Sequence, residues 1–320
     1  MPEQKLLIIH QGALGDFVLT FPAIIQLKKY FPRIDVLCQQ KLGQLACNLK
    51  LVERCLPLES AGFVSLYSGA PDSKMTSLLS AYHLIILFSF SKELEHALNT
   101  IRGPIIRRIP PRPAPSKTIH VTQYLLQSLS DLKIFRGSNI MIETRLSKIP
   151  HSDLRDSTFE PAKIMIHPGS GSPKKNWPLH YFIETEKMLH SAGLTPEFIL
   201  GPAEKSVSEN LSATETPRIV HLRHDLNELV HLLKTAGGYL GNDSGVSHLA
   251  AFLGLPTVAI FGPSDPQRWR PIGRAVRMIK PIINCRHCFE VNSNDCDQFV
   301  CLEKIAPDQV INALYEIWPR

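Results

Sequence analysis

The sequence predicts an α/β fold in which two halves each contain a mainly parallel β-sheet. Short apolar runs typical of buried strands alternate with segments of helical periodicity, and this alternation restarts after residues 131–162, where prolines and polar residues interrupt it. A chain of 320 residues is also longer than one hydrophobic core usually supports. We therefore predict an N-terminal domain over residues 1–150 and a C-terminal domain over residues 151–320.

The first half opens with an apolar strand at residues 5–10, a loop that contains Gly12 and Gly15, and a helical pattern at residues 17–30. Later apolar runs predict strands, and the segments between them have apolar residues at helical spacing. The further strands are predicted at residues 34–38, 63–66, 84–88 and 105–106, and the further helices at residues 44–48, 74–81, 92–100 and 118–129.

The second half has the same architecture, without a recognisable repeat of the sequence itself. Open α/β sheets bind ligands beyond the carboxyl ends of their strands, so the loops after the strands are the candidates for a functional site. Two such domains joined by a linker are expected to form a cleft. Strands are predicted at residues 164–167, 198–200, 238–240 and 257–261, and helices at residues 179–191, 226–235, 246–253 and 307–318.

The composition is that of an ordinary globular protein, with 44% hydrophobic and 20% charged residues. No apolar run approaches the ~18 residues of a membrane-spanning helix, and residues 6–9 are too short for the apolar part of a signal peptide, so a soluble cytoplasmic protein is expected. Residues 1–150 carry 18 Lys and Arg against 10 Asp and Glu, whereas the remainder carries 17 against 19. The basic first half predicts an anionic partner, although a basic solvent-exposed face would look the same.

The loop after the first strand places Asp16 beside glycines at the start of a helix. Glycines let the backbone approach a ligand closely. A single aspartate at such a position is more often a helix cap that accepts hydrogen bonds from first-turn amides. The loop by itself therefore favours a structural role for Asp16.

The loop at residues 167–177 has the sequence HPGSGSPKKNW and precedes a helix. Gly169, Ser170 and Gly171 could offer amide and hydroxyl donors to a diphosphate. Lys174 or Lys175 could supply positive charge. The loop lacks the G-x-x-x-x-G-K-[ST] pattern of a Walker loop.

The segment GNDSGVSH at residues 241–248 lies between a strand and a helix, where the helix N-terminus favours an anion. Asp243 could cap that helix or bind ligand hydroxyl groups. His248, one turn later, could face the same ligand, and a hydrogen-bonded core histidine is the alternative. The loop FGPSDP at residues 261–266 follows the next strand and is expected to border the same site.

Together these loops resemble those of glycosyltransferase family 9, the ADP-heptose:lipopolysaccharide heptosyltransferases and their relatives. The resemblance is carried by GALGDFVLTFPA at residues 12–23, HPGSGSPKKNWP at residues 167–178 and GNDSGVSHLAAFLGLPTVAIFGPSDP at residues 241–266. It implies a GT-B fold, in which two Rossmann-like domains face each other across a cleft. The acceptor would bind on the N-terminal domain and the donor on the C-terminal domain, and the last helix would cross back to the N-terminal domain.

The resemblance also implies roles for individual residues. The N-terminal aspartate of the family acts as general base, which corresponds to Asp16. The lysine before the N-W-P motif contacts the donor phosphates, which corresponds to Lys175, with Lys174 as a substitute. Ser170 matches a hydroxyl on the phosphate side, and Glu204 matches a glutamate associated with the nucleoside. The other donor-binding positions implied are Gly15, Gly171, Asp243, Ser244, Gly245 and His248.

The implied activity is an inverting transfer without a metal, in which heptose from ADP-heptose moves to a lipopolysaccharide core or a related glycan. The implied partners are the nucleotide sugar and an anionic glycolipid at the inner face of the cytoplasmic membrane, and no nucleic acid. Basic residues in a proline-rich stretch are candidates for contacts to acceptor phosphates, and a basic linker is the alternative. These residues are Arg102, Arg107, Arg108, Arg112 and Lys117.

Two other function classes fit part of the pattern. A protein that binds a nucleotide sugar without transferring it, such as a sensor, would share the fold, and the presence of Asp16, Lys175 and Asp243 argues against it. A Rossmann-type oxidoreductase is disfavoured because no G-x-G-x-x-G with an acidic ribose partner follows the first strand.

Four of the seven cysteines are clustered near the C-terminus. In a chain expected to be cytoplasmic, a disulfide framework is disfavoured. The spacing C-x₂-C-x₇-C-x₄-C could hold a structural zinc ion in tetrahedral geometry, and buried reduced thiols are the alternative. The four residues are Cys285, Cys288, Cys296 and Cys301.

Overall fold

The computed structural model of the protein describes residues 5–60, 63–67, 71–135, 140–148, 154, 159–212, 217–282, 288–289 and 300–318. The chain forms two compact units, Met1–Ile149 and Pro150–Arg320. Each unit is built on its own parallel β-sheet with helices between the strands. The predicted α/β class with parallel sheets is therefore confirmed.

The sheet of unit 1 contains β1 (Lys5–His10), β2 (Arg33–Cys38), β3 (Arg54–Pro57), β4 (Leu84–Phe88) and β5 (Ile105–Ile109), in the spatial order β3-β2-β1-β4-β5. The central strands β1 and β4 are buried along nearly their whole length, as expected for parallel strands covered on both faces. The strands β2 and β3 lie on one side of β1, and the strands β4 and β5 lie on its other side. The strand order therefore reverses between β1 and β4, and ligands bind at such positions in open α/β sheets.

The helices of unit 1 are α1 (Leu14–Lys28), α2 (Gln40–Asn48), α3 (Val64–Tyr67), α4 (Ser73–Ser80), α5 (Lys92–Asn99) and α6 (Val121–Ser130). Asp72 and Ser91 cap α4 and α5 by accepting hydrogen bonds from first-turn amides. The strand predicted at residues 63–66 is wrong, because this segment is helical and residues 64–67 form the turn α3. The buried side chains of Phe63 and Leu66 are three residues apart and so lie on one face of the helical segment.

The sheet of unit 2 contains β6 (Glu160–His167), β7 (Thr195–Leu200), β8 (Val220–Leu222), β9 (Ala236–Asn242), β10 (Thr257–Ile260) and β11 (Val276–Ile279), in the order β11-β10-β9-β6-β7-β8. All adjacent pairs of these strands are parallel. Here the strand order reverses between β6 and β9. The loops that follow these two strands therefore meet at one edge of the sheet.

The helices of unit 2 are α7 (Leu179–Ser191), α8 (Lys205–Ser212), α9 (Leu226–Lys234), α10 (Gly245–Phe252), α11 (Pro266–Trp269) and α12 (Pro307–Ile317). The last helix, α12, packs against α7, β10 and β11 of its own unit. Its buried side chains include Val310 and Leu314, which join the core formed by strand residues such as Ile166 and Val258. In the part of the chain described above, none of the helices is both long and apolar enough to cross a membrane.

Candidate active site

The loops after β6 and β9 meet through an ion pair. Lys175 Nζ lies 2.7 Å from Asp243 Oδ2, and the two side chains are 18% and 6% exposed. Lys175 ends a 3₁₀ turn at Pro173–Lys175, and Asp243 follows the last residue of β9. The structure thus brings together two of the residues predicted for the donor site, which are 68 positions apart in the chain.

Asn242 fixes the loop after β6 to the end of β9. Its side chain is fully buried. Asn242 Nδ2 donates to Pro168 O at 2.8 Å, and its Oδ1 accepts from the Trp177 amide at 2.9 Å. Both ends of the loop are therefore held by one amide side chain. Asn242 was not among the predicted site residues, although it lies next to Asp243 in the same motif.

Glu204 lies against the same loop. Its Oε2 accepts from the Gly201 amide at 2.7 Å. A Cβ added at Gly169 would lie 2.6 Å from Glu204 Cγ and closer still to the carboxylate. Glycine at position 169 is therefore needed for Glu204 to pack there. In contrast, a Cβ added at Gly171 would meet nothing within 4 Å.

Helix α10 begins at the ion pair with Gly245 as its first residue. Ser244 is its N-cap and accepts from the Ser247 amide at 3.3 Å. Asp243 is therefore not the cap of this helix, and its carboxylate contacts Lys175 instead. The partial positive charge of the helix N-terminus and the Lys175 ammonium favour an anion at this edge of the sheet, and the Asp243 carboxylate offsets part of this charge.

His248 is buried in the second turn of α10. Burial lowers the pKa of His248 to about 4. Two smaller effects act on the same pKa, since the Asp243 carboxylate raises it and the Lys175 ammonium lowers it. The imidazole is thus neutral at pH 7. Among the described residues, His248 Nδ1 is a buried atom without a hydrogen-bond partner. Most buried polar atoms in proteins have a hydrogen-bond partner, so His248 Nδ1 is an exception at this edge of the sheet.

The other loop residues have less direct roles. Ser170 Oγ lies 2.6 Å from both Ser172 O and Asn176 Oδ1, so the hydroxyl stabilises the loop from within. Lys174 is exposed in the same 3₁₀ turn that carries Lys175. Of the two candidate lysines, Lys175 is the one that contacts Asp243.

Unit 1 has a cavity of about 310 Å³ at the point where its strand order reverses. Asp16 borders this cavity from the first turn of α1. The N-cap of α1 is Ala13, so the capping role considered for Asp16 is wrong. Gly15, which precedes Asp16 in the same turn, does not line the cavity. The lining residues are Gln11, Gly12, Asp16, Phe88, Ser89, Phe90, Ser91, Pro111 and Arg112.

The loop that carries Asp16 is tightly packed. A Cβ at Gly12 would lie 2.8 Å from both Asp16 Cβ and His10 Cε1. The Gly12 amide donates to His10 Nδ1 at 3.2 Å, and burial lowers the pKa of this histidine to about 4. On the β4 side, Ser89 Oγ donates to Gln11 Oε1 at 2.7 Å. The first of these hydrogen bonds fixes the backbone before α1, and the second joins the loops after β1 and β4 through their side chains.

The proline-rich basic stretch is not a linker. Arg107 and Arg108 lie in β5, where Arg108 forms an ion pair with Glu95 at 2.6 Å. Arg112 lines the cavity beside Asp16, and its guanidinium carbon lies 5.6 Å from the centre of the Phe90 ring. The other two predicted phosphate-contacting residues, Arg102 and Lys117, do not line this cavity.

The predicted zinc site falls largely outside the described residues, because Cys285 and Cys296 are not among them. Cys288 is partly buried, and Cys301 is buried as the N-cap of the 3₁₀ turn at Leu302–Lys304. Where the chain is described, no group of three or more His, Cys, Asp and Glu side chains is arranged to hold a metal ion.

Comparison with known proteins shows the family to which the chain belongs. The model of glycosyltransferase family 9 (heptosyltransferase) matches residues 119–296. Lipopolysaccharide heptosyltransferase 2 of Escherichia coli is 32% identical over 117 residues, which cover 34% of this chain and 33% of that protein. The chain thus spans about a third of the length of this curated relative. Lipooligosaccharide heptosyltransferase 2 of Haemophilus ducreyi is 24% identical over 98% of this chain and 99% of its own length.

The fold is shared with a solved structure over the whole chain. The structure of the E. coli ADP-heptose lipopolysaccharide heptosyltransferase II matches 98% of this chain and 98% of its own, with a TM-score of 0.74 and 19% identity. The predicted GT-B fold is thereby confirmed. Because the family model covers more than half of the sequence, from the end of unit 1 through the loops after β6 and β9, the chain belongs to glycosyltransferase family 9.

Proposed function

We propose that the protein transfers a sugar from a nucleoside diphosphate sugar to an acceptor hydroxyl. The observation that carries this proposal is the meeting of Lys175, Asp243 and the N-terminus of α10 at the strand edge of unit 2. An ammonium group and a helix N-terminus at one point favour a diphosphate. The family match makes a nucleotide sugar the natural source of that diphosphate.

The proposed donor is ADP-heptose, bound by unit 2. The relatives that match are named heptosyltransferases, and the solved structure described above is an ADP-heptose enzyme. In this proposal Lys175 and the amides at Ser244 and Gly245 contact the diphosphate. Glu204 contacts the nucleoside, which is supported by its packing against Gly169 of the loop that carries Lys175.

The proposed acceptor binds in the cavity of unit 1 and carries anionic groups. Arg112 supplies a guanidinium within the same cavity as Asp16. Because Arg108 does not line this cavity and its guanidinium pairs with Glu95, Arg112 is the stronger candidate for a phosphate or carboxylate of the acceptor. A lipopolysaccharide core at the inner face of the cytoplasmic membrane has this chemistry, and the names of the relatives support it.

In the proposed mechanism, Asp16 accepts the proton of the acceptor hydroxyl while the oxygen attacks the anomeric carbon of the donor. The bond between that carbon and the diphosphate oxygen breaks in the same step, which inverts the configuration. The diphosphate leaves with the electron pair of this bond. Lys175 and the helix amides stabilise its charge, so that the transfer needs no metal.

The cysteine cluster is proposed to be structural. The spacing of the four residues fits a tetrahedral thiolate site, which suits zinc or iron. Elemental analysis of the purified protein for both metals tests this proposal. About one metal ion per chain is expected, and a metal-free, folded protein would contradict it.

The activity is tested with purified protein, candidate nucleotide sugars and a heptose-deficient lipopolysaccharide acceptor. We expect ADP release in equal amount to glycosylated acceptor, with product detected by mass spectrometry. ADP should bind more tightly than UDP or GDP in calorimetry. Nucleotide binding without any transfer would favour the non-catalytic alternative, and a failure to bind any nucleoside diphosphate would contradict the proposal. Activity that survives EDTA would support a transfer without a dissociable metal.

A further inference from the structure

An aromatic ring lies beside the cation of the proposed donor site. Lys175 Nζ is 4.0 Å from the centre of the Phe289 ring and 2.7 Å from Asp243 Oδ2. A cation over the face of an aromatic ring is attracted by the negative charge density of that face. The ammonium group is therefore held by a carboxylate and by a ring.

The backbone of Phe289 is fixed by a hydrogen bond. Its amide donates to Pro263 O at 3.1 Å, in the loop that follows β10. The ring is nevertheless 40% exposed, so burial in the core does not account for its placement. An anchored backbone and a half-exposed ring over a lysine fit a role at the edge of a ligand site.

We propose that Phe289 is a positioning residue for Lys175 and that it holds the ammonium group at the start of α10 before the donor diphosphate arrives. This inference rests on the proposed function. A lysine side chain loses much rotational freedom when it is fixed, and a contact made in the free protein removes this cost from ligand binding. An ammonium group has three N–H donors, so Lys175 can keep both contacts while it donates to a phosphate.

The proposal differs from two simpler roles of the ring. A ring that only filled space could be replaced by leucine with little effect on ligand binding. A ring that stacked on the nucleotide would contribute whether or not Lys175 is present. If Phe289 acts through Lys175, its effect must disappear when the charge of Lys175 is removed.

The test is a double-mutant cycle on ADP affinity, measured by calorimetry with the full chain. Phe289→Leu should weaken ADP binding about three- to tenfold, whereas Phe289→Tyr and Phe289→Trp should retain it, because both keep a ring face. In the Lys175→Met background, Phe289→Leu should change ADP affinity by less than about twofold. Ile282→Ala, at an exposed site in the same unit, is the matched control and should not change the affinity.

Each outcome is decisive. Equal weakening by Phe289→Leu with and without Lys175, or no weakening at all, would overturn the inference. If the wild-type protein binds no ADP, the proposed function fails and this inference falls with it. If Phe289→Leu does not fold, the inference is tested by NMR of lysine-labelled wild-type protein and of the lysine-labelled Phe289→Tyr variant. The Lys175 Hε protons should show an upfield ring-current shift in both the wild-type and Tyr proteins, and its absence would overturn the inference.

Discussion

At the scale of single residues, Gly169 sets how closely the loop after β6 approaches Glu204. The space for a Cβ at this position is occupied by the glutamate side chain. Gly169→Ala should displace Glu204, lower the melting temperature and weaken ADP binding, because the loop and Glu204 can no longer pack together. Thermal unfolding and calorimetry measure these two effects.

Gly171→Ala is the matched control for stability, since a Cβ at position 171 meets nothing within 4 Å. Its melting temperature should stay close to that of the wild-type protein. An equal loss of stability in both variants would show that backbone freedom, and not the contact with Glu204, determines the result.

The residues of the candidate site could be predicted from the sequence only where a motif carried them. Lys175 and Asp243 lie in such motifs, and the structure brings their side chains together. Asn242 lies in the same run as Asp243, but its role depends on hydrogen bonds to Pro168 and Trp177 that no local pattern reveals. Phe289 was missed for the same reason, because its contact with Lys175 spans more than 100 positions.

At the scale of secondary structure elements, long buried segments were predicted well. The strand β1 and the helix α7 have the predicted bounds, because their apolar residues follow a clear period. The edge strands β3, β8 and β11 were not predicted. They have three or four residues and few fully buried positions, so their sequences carry little hydrophobic signal.

Helix α3 shows the limit of periodicity in short segments. Residues 63–66 contain apolar side chains within one turn, and four residues cannot distinguish a strand from a helix. In the basic stretch, the strand predicted at residues 105–106 is confirmed and extends to Ile109, because Ile105–Ile109 pairs in register with β4. The linker considered as the alternative therefore does not apply to these residues.

At the scale of the whole molecule, the two units have related strand orders, and each has its candidate site where that order reverses. The GT-B fold could be predicted from the alternating pattern together with the family motifs. The basic character of residues 1–150 was also visible in the sequence. The sequence did not reveal which arginine lines the cavity, because that depends on the pairing of Arg108 with Glu95 and on the position of Arg112 after β5.

Three buried histidines predict how the stability of the protein depends on pH. Burial lowers the pKa values of His10, His167 and His248 from 6.5 to about 4. Between these values the unfolded chain binds protons that the folded chain does not, so the free energy of unfolding decreases as the pH falls from 6.5 towards 4. Each histidine contributes a slope of up to about 1.4 kcal/mol per pH unit in this window, and almost none above it.

Urea unfolding at pH 7, 6 and 5 measures this slope. His10→Asn should make the slope shallower while it retains an acceptor for the Gly12 amide. Equal stability of the wild-type protein at pH 7 and pH 5 would show that these histidines are not buried in their neutral form.

The proposed mechanism depends on the Asp16 carboxylate as the base that activates the acceptor. The most direct measurement compares the wild-type protein with Asp16→Asn, using turnover of ADP-heptose and calorimetric affinity for ADP. The asparagine keeps the shape of the side chain but cannot accept the proton. Turnover should fall by about 10²–10⁴, and ADP affinity should change little. Wild-type turnover in Asp16→Asn, or a loss of turnover explained entirely by lost donor affinity, would contradict the mechanism.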